Sequence, residues 1–221
     1  MKRYLMTVAL LTVVCALAAG LCYDRLPERT AIHFNLDGEA DGFASRARSV
    51  QHIVGVVPAL SLLLLVVIAV TLPLERRFGR GKAHVERNMP HLYNVGIATT
   101  VLWALLSFMM LQSALTGVGP SMQTLFIALG GLQVLFGLMA GKLRSNHFFG
   151  IRTPWTLRSE AVWHRTHRMG GWALVAGGVL TMMAVVVLPT PLGSRACLAI
   201  MLASPLLPCV YSFVIRERPP A

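Results

Sequence analysis

Apolar residues in this chain come in long unbroken runs, not in the alternation of a half-buried strand or the single stripe of a helix on a soluble core. Charge-free stretches cover Tyr4 to Leu21, Ile53 to Leu72, Val95 to Leu115, Met122 to Ala140, Trp172 to Leu188 and Ala196 to Val214. A hydrocarbon layer about 30 Å thick is crossed by roughly 20 helical residues, and inside lipid a helix satisfies its own backbone. Each stretch therefore predicts a spanning helix, and the fold class is all-α: a polytopic membrane protein with six transmembrane helices. The first stretch follows Lys2 and Arg3 and contains Ala16-Leu17-Ala18, which resembles a signal-peptide cleavage site. Its apolar part exceeds the usual h-region of about 7–15 residues, so it is expected to remain as a span.

Composition agrees. Of 221 residues, 55% are hydrophobic and 13% charged, against about 45–50% and about 25% in a soluble domain. That balance argues against a soluble enzyme. Lys and Arg number 20 against 9 Asp and Glu, an excess that in a soluble chain would suggest nucleic acid. The positions of the charges change that reading to one of topology, with no direct nucleic-acid binding. Lys2 and Arg3 precede the first span; Arg25, Arg29, Arg46 and Arg48 lie in the first loop; Arg76, Arg77, Arg80, Lys82 and Arg87 lie in the second. The third loop has none, the fourth holds Lys142, Arg144, Arg152, Arg158, Arg165 and Arg168, Arg195 borders the fifth, and Arg216 and Arg218 follow the last span. The positive-inside rule then predicts cytoplasmic termini in a bacterial plasma membrane, with the first loop outside and the fourth inside. The first loop also carries Asp24, Glu28, Asp37, Glu39 and Asp41. Cys15, Cys22, Cys197 and Cys209 have neither disulfide-framework nor zinc-ligand spacing.

No Asp, Glu, Lys or Arg lies deep in a span, which weakens an ion-coupled carrier reading. Gln112, Gln123 and Gln133 read as interhelical hydrogen-bonding groups, and Gly137 with Gly141, and Gly170, Gly171, Gly177 and Gly178, as close helix approaches. Pro58, Pro205 and Pro208 remove backbone donors within helices. Three units are expected: residues 1–75, a two-span unit with an external loop at 23–52; a cytoplasmic linker at 76–94; and residues 95–221, a four-span unit with a cytoplasmic motif loop at 142–171.

In the external loop, Thr30 to Asn35 predicts a short extended run ending at an Asp37-Gly38 turn, with a second turn at Asp41-Gly42. A cation site on His33, Asp37, Glu39 and Asp41 is the less favoured alternative to turn chemistry and solvated charge. In the fourth loop, Thr153-Pro154 interrupts regular structure. Ser159 caps a helix starting near Glu160, which places Trp163 and His167 on one face. A metal site using His164 and His167 lacks a partner acid or cysteine, and catalysis through Ser159 and His167 lacks an orienting group. No cofactor is expected.

Residues Asn146-His-Phe-Phe-Gly150-Ile-Arg152-Thr153-Pro-Trp155-Thr156, then Ser159-Glu160, Trp163, Thr166-His167-Arg168 and Gly170-Gly171, resemble the signature of the SdpI family, bacterial membrane proteins named for an immunity protein against a secreted killing peptide. Leu26-Pro27, His33-Phe34-Asn35, Gly38, Asp41-Gly42 and Ser45 resemble the domain of unknown function that often precedes it. The resemblance implies a non-enzymatic protein that sits in the lipid bilayer, protects its cell from a toxin peptide outside and, as in the founding system, captures a transcription repressor inside. Candidate recognition residues are Asn146, Gly150, Arg152, Thr153, Trp155, Thr156, Trp163 and His167 in the cytoplasmic loop, and His33, Asn35 and Asp41 outside. The alternatives are a small-molecule or lipid transporter working through the last helix, and a membrane enzyme using Asn146, Arg152, His164 and His167 on lipid phosphates.

Overall fold

A computed structural model of the chain describes residues 1–78 and 82–216. The expected cation positions Arg80 and Arg218, and the side chains of Arg76 and Lys82, lie outside what is described. Six long helices carry the fold: α1 (Lys2–Leu21), α2 (Arg46–Phe78), α3 (Lys82–Thr116), α4 (Met122–Ala140), α6 (Glu160–Val187) and α7 (Leu192–Val214), with a short α5 (Pro154–Arg158) before α6. All six long helices are apolar enough over sufficient length to cross a membrane, and leucines and valines such as Leu62, Leu63, Val66, Leu138, Val187 and Leu207 point outward from them. On a soluble protein such a surface would drive aggregation; in hydrocarbon it carries no penalty. The all-α expectation holds, with one small antiparallel hairpin added: β1 (Arg29–Phe34) pairs with β2 (Ala40–Ser45), Arg29 opposite Ser45 and Ala31 opposite Phe43.

α1, α2 and α3 pack together. Tyr4 donates its hydroxyl to the Ser61 carbonyl at 3.1 Å, and Ser61 meets Thr100 across α2 and α3 at 3.3 Å. Leu26, just before the hairpin, is buried with Ala19, Ile53, Leu111 and Ala114, which fixes the hairpin onto the helix ends. The second body is α4, α6 and α7. Here glycines set the distance: a Cβ on Gly137 would lie 2.7 Å from the Gly171 carbonyl and one on Gly171 would lie 2.7 Å from that of Gly137, while Gly130 and Gly178 oppose each other in the same manner. The two pairs stand two helical turns apart on α4 and α6. A Gln133 to Ser204 hydrogen bond ties α7 to α4 beside Gly177.

The second and third helices outrun the bilayer. α2 has 33 residues and α3 has 35, about 50 Å each at 1.5 Å per residue. The stretch expected as a linker is therefore helical where it is described, at 76–78 and 82–94. Val85, Asn88 and Leu92 are buried on one side of this extension while Glu86, Arg87 and Pro90 are exposed, an amphipathic spacing that lays it against the fourth loop.

Polar connections gather on two faces. On one, the hairpin lies near the α3–α4 loop, where a Cβ on Gly119 would meet the Gly38 carbonyl, and Asp37 reaches Arg195 at the start of α7 at 3.7 Å. The other face carries the 142–159 segment and the α2 and α3 extensions.

Candidate functional site

The motif segment between α4 and α6 has little regular structure, yet Asn146, His147, Arg152, Thr153, Trp155, Thr156 and Ser159 all make side-chain hydrogen bonds. Its first part is held by the α2 and α3 extensions. Asn88 behaves like a strand neighbour to Arg144, accepting from its N–H at 2.8 Å and donating to its carbonyl at 3.0 Å. His84 contacts the Ser145 carbonyl at 3.1 Å. Glu75, buried at the end of α2, accepts from the His147 N–H at 3.0 Å and lies 3.2 Å from its ring Nδ1. Asn146, also buried, closes the next turn: its Oδ1 accepts from Phe148 and Phe149, and its Nδ2 donates to the Arg144 carbonyl.

Gly150 is the pivot. Its φ of +94° lies where side chains are disfavoured, and a Cβ there would collide with His167 Nε2. This close approach lets the Ile151 N–H donate to that nitrogen at 3.0 Å. The ring proton then sits on Nδ1, which donates to the Trp163 carbonyl at 2.9 Å. His167 stacks on Trp163 with centroids 3.9 Å apart, and Trp163, fully buried, donates its indole N–H to the Leu143 carbonyl at 2.8 Å. Thr153 and Pro154 start a helix as well as interrupting one: Thr153 caps α5, with Thr156 completing a reciprocal capping box. The buried Thr156 hydroxyl also donates to the Ile151 carbonyl at 2.9 Å. Trp155 reaches Ser212 on α7 at 3.0 Å and meets Phe213 edge-on. Ser159 caps α6, accepting from Val162.

The predicted residues thus do come together, in two roles. Asn146, Thr156, Trp163 and His167 lie in the interior, Gly150 and Thr153 set the loop's shape, and Trp155 bolts it to α7. The cations face outward: Lys142, Arg144, Arg152, Arg158, Arg165 and Arg168 are all exposed, with Arg152 anchored to the His147 carbonyl at 2.8 Å. The sequence reading missed Glu75, His84 and Asn88. The buried stripe through Val85, Asn88 and Leu92 was the available signal, and Pro90 obscured it. Both ring nitrogens of His167 are thus bonded within the protein, Nε2 to the Ile151 N–H and Nδ1 to the Trp163 carbonyl, so the ring holds the motif loop onto α6.

On the opposite face, Asn35 organises the hairpin tip. Its Oδ1 accepts from the Asp37 and Glu39 N–H groups at 3.0 and 2.9 Å, its Nδ2 donates to Glu39 at 3.2 Å, and Gly38 takes a φ of +84°. His33 pairs with Asp41 at 2.5 Å. The tip carboxylates are each bound to a different group and do not converge, and among the described residues no cluster of metal ligands occurs.

Fold and site together define a multi-pass α-helical membrane protein whose connections are built into one shaped polar face at each end of the helices. Residues 142–215 match the SdpI/YfhL protein family and residues 10–57 match a domain of unknown function, DUF1648; the family resemblance read from the motifs is borne out. Over 87 residues the chain is 33% identical to the immunity protein SdpI of Bacillus subtilis (strain 168), a stretch that makes up 38% of this chain and 42% of that relative. The match thus spans less than half of the relative's length. No solved structure matches the chain.

Proposed function

We propose that this chain is a non-enzymatic protein of the SdpI type that protects its cell against a secreted antimicrobial peptide. The hairpin face is external and the motif face cytoplasmic. The similarity to an immunity protein carries the reading. The paired cap over the external helix ends, with Asp37, Glu39 and Asp41 at its tip, supports a role in attracting a cationic peptide. The exposed arginines around the rigid motif suit an inward-facing surface on which an acidic patch of a soluble regulator docks when the outer face is occupied.

Cells lacking the gene are expected to become sensitive to at least one member of a panel of secreted antimicrobial peptides, with protection restored by the wild-type gene. Replacing Asp37, Glu39 and Asp41 together by lysine is expected to weaken protection, more so at low salt, where exposed charges are less screened. Unchanged sensitivity across a broad panel after deletion would remove the immunity reading.

A further inference from the structure

Beneath the hairpin is a cavity of about 430 Å³, within the size range of small-molecule sites. Its roof is β1 from Ala31 to Phe34, its floor is Trp103, Leu106 and Met110 of α3, and its walls are Ile53 and Val56 of α2 and Met122 and Leu125 of α4. Nearly all of this lining is apolar. A second recess adjoins it, sharing Ile32 and His52, and is polar, with Arg29 and Arg48 on its wall. Arg29 lies over the Phe43 ring at 4.7 Å, and among the described residues neither guanidinium has a carboxylate within salt-bridge distance. Asp41 lines the same recess, but it is held by His33.

We propose that these two adjoining spaces form a site for one anionic phospholipid of the leaflet on the hairpin side, an acyl chain lying in the apolar cavity and the phosphate against Arg29 and Arg48. Depth supports this occupant over a soluble one. The apolar run of α2 begins at Ile53, so Arg48 stands five residues above it, about 7.5 Å along the helix. The headgroup layer on each side of the hydrocarbon is about 5–7.5 Å thick, so the Arg48 backbone stands at its outer edge and the long side chain has the reach to bring the guanidinium to a phosphate. A lipid already in that leaflet arrives with its phosphate at this height and its chains below it. Arginine suits the contact because its planar fork binds two phosphate oxygens at once. This inference does not rest on the immunity reading, because lipid retention and peptide protection are measured separately.

The test is native mass spectrometry of the full chain in mild detergent, titrated with an equimolar mixture of phosphatidylglycerol and phosphatidylcholine of the same acyl composition. The wild-type protein is expected to retain phosphatidylglycerol preferentially, by about fivefold for each participating arginine. Arg29→Gln with Arg48→Gln is expected to bring the two lipids to equal retention, and Val56→Phe, which fills the cavity, to reduce both. Arg158→Gln with Arg165→Gln, on the opposite face, is expected to leave the preference intact, and millimolar inorganic phosphate is expected not to displace the lipid. Unchanged helical circular dichroism shows that each variant is folded. Equal retention of the two lipids by the wild type, a preference that survives loss of Arg29 and Arg48, or displacement by free phosphate would overturn the proposal. So would retention of a hydrophobic peptide in the same cavity with no bound lipid.

Discussion

Gly150 and His167 show how a motif that looks like exposed chemistry becomes architecture. A side chain at Gly150 meets two obstacles, a positive φ and the His167 ring. Gly150→Ala is therefore expected to destabilise the protein by about 1–3 kcal/mol from the backbone conformation alone, with added loss of the Ile151 to His167 bond, read as a lowered midpoint of thermal unfolding in detergent. His167→Ala leaves the Ile151 N–H without its partner, at about 1–3 kcal/mol for a buried group left unsatisfied, and removes the stack on Trp163; the Trp163 carbonyl keeps its helical bond within α6. Arg152→Gln and Arg168→Gln lie on the exposed side and are expected to change the midpoint little, since surface substitutions commonly fall within about 0.5 kcal/mol. If the exposed arginines receive a regulator, those two variants separate signalling from stability: folded protein, peptide protection intact, reporting lost. Residue types alone could not make this separation. Asn146, Trp163 and His167 were legible as belonging together, but that they face inward depends on carbonyls of Arg144 and Leu143 and on the N–H of Ile151, backbone groups without a sequence signature.

Between helices, what was legible and what was not divides along the same physical line. The six spans were readable because lipid demands a simple thing of sequence, a sustained apolar run. The Asp37-Gly38 turn was readable because turns are local. The glycine contacts were seen as small-residue spacing within each helix, Gly137 with Gly141 and then Gly170, Gly171, Gly177 and Gly178, without their partners, whereas the structure sets Gly137 against Gly171 and Gly130 against Gly178. Choosing among glycines requires knowing the partner helix and its register. That choice has a measurable consequence. Gly137→Ala or Gly171→Ala puts a methyl group against a carbonyl oxygen and is expected to force α4 and α6 apart, at about 1–3 kcal/mol. Gly131 stands next to Gly130 in sequence but has nothing within 4 Å of its Cβ position, so Gly131→Ala is expected to be neutral or to stabilise by up to about 1 kcal/mol. Equal losses for Gly131→Ala and Gly137→Ala in a thermal-shift series would show that helix propensity, not contact across the α4–α6 interface, governs these positions. The α2 and α3 extensions were hidden for a related reason: their buried stripe has an asparagine at its centre, and only the Arg144 backbone 56 residues away makes Asn88 an interior residue.

Sidedness joins these local facts into a statement about the whole protein. Asp37 near Arg195, and Gly38 near Gly119, bring the first, third and fifth connections to one face; Asn88 on Arg144 and Trp155 on Ser212 bring the α2 and α3 extensions, the motif and the end of α7 to the other. The two faces are thereby tied to each other by six helices, and fixing either one fixes both. Charge chooses between the two orientations, because Lys and Arg are retained on the cytoplasmic side during insertion. The decisive measurement uses single cysteines in a background where Cys15, Cys22, Cys197 and Cys209 are replaced by alanine. Glu39→Cys is expected to react in intact cells with a membrane-impermeant maleimide, because the hairpin tip is exposed. Arg165→Cys, equally exposed on the motif face, is expected to react only after permeabilisation. The reverse pattern would invert the protein, bring the motif arginines outward and remove the peptide from the hairpin. Labelling of both sites in intact cells would break the six-helix alternation itself, since no odd number of crossings between Glu39 and Arg165 would then separate them.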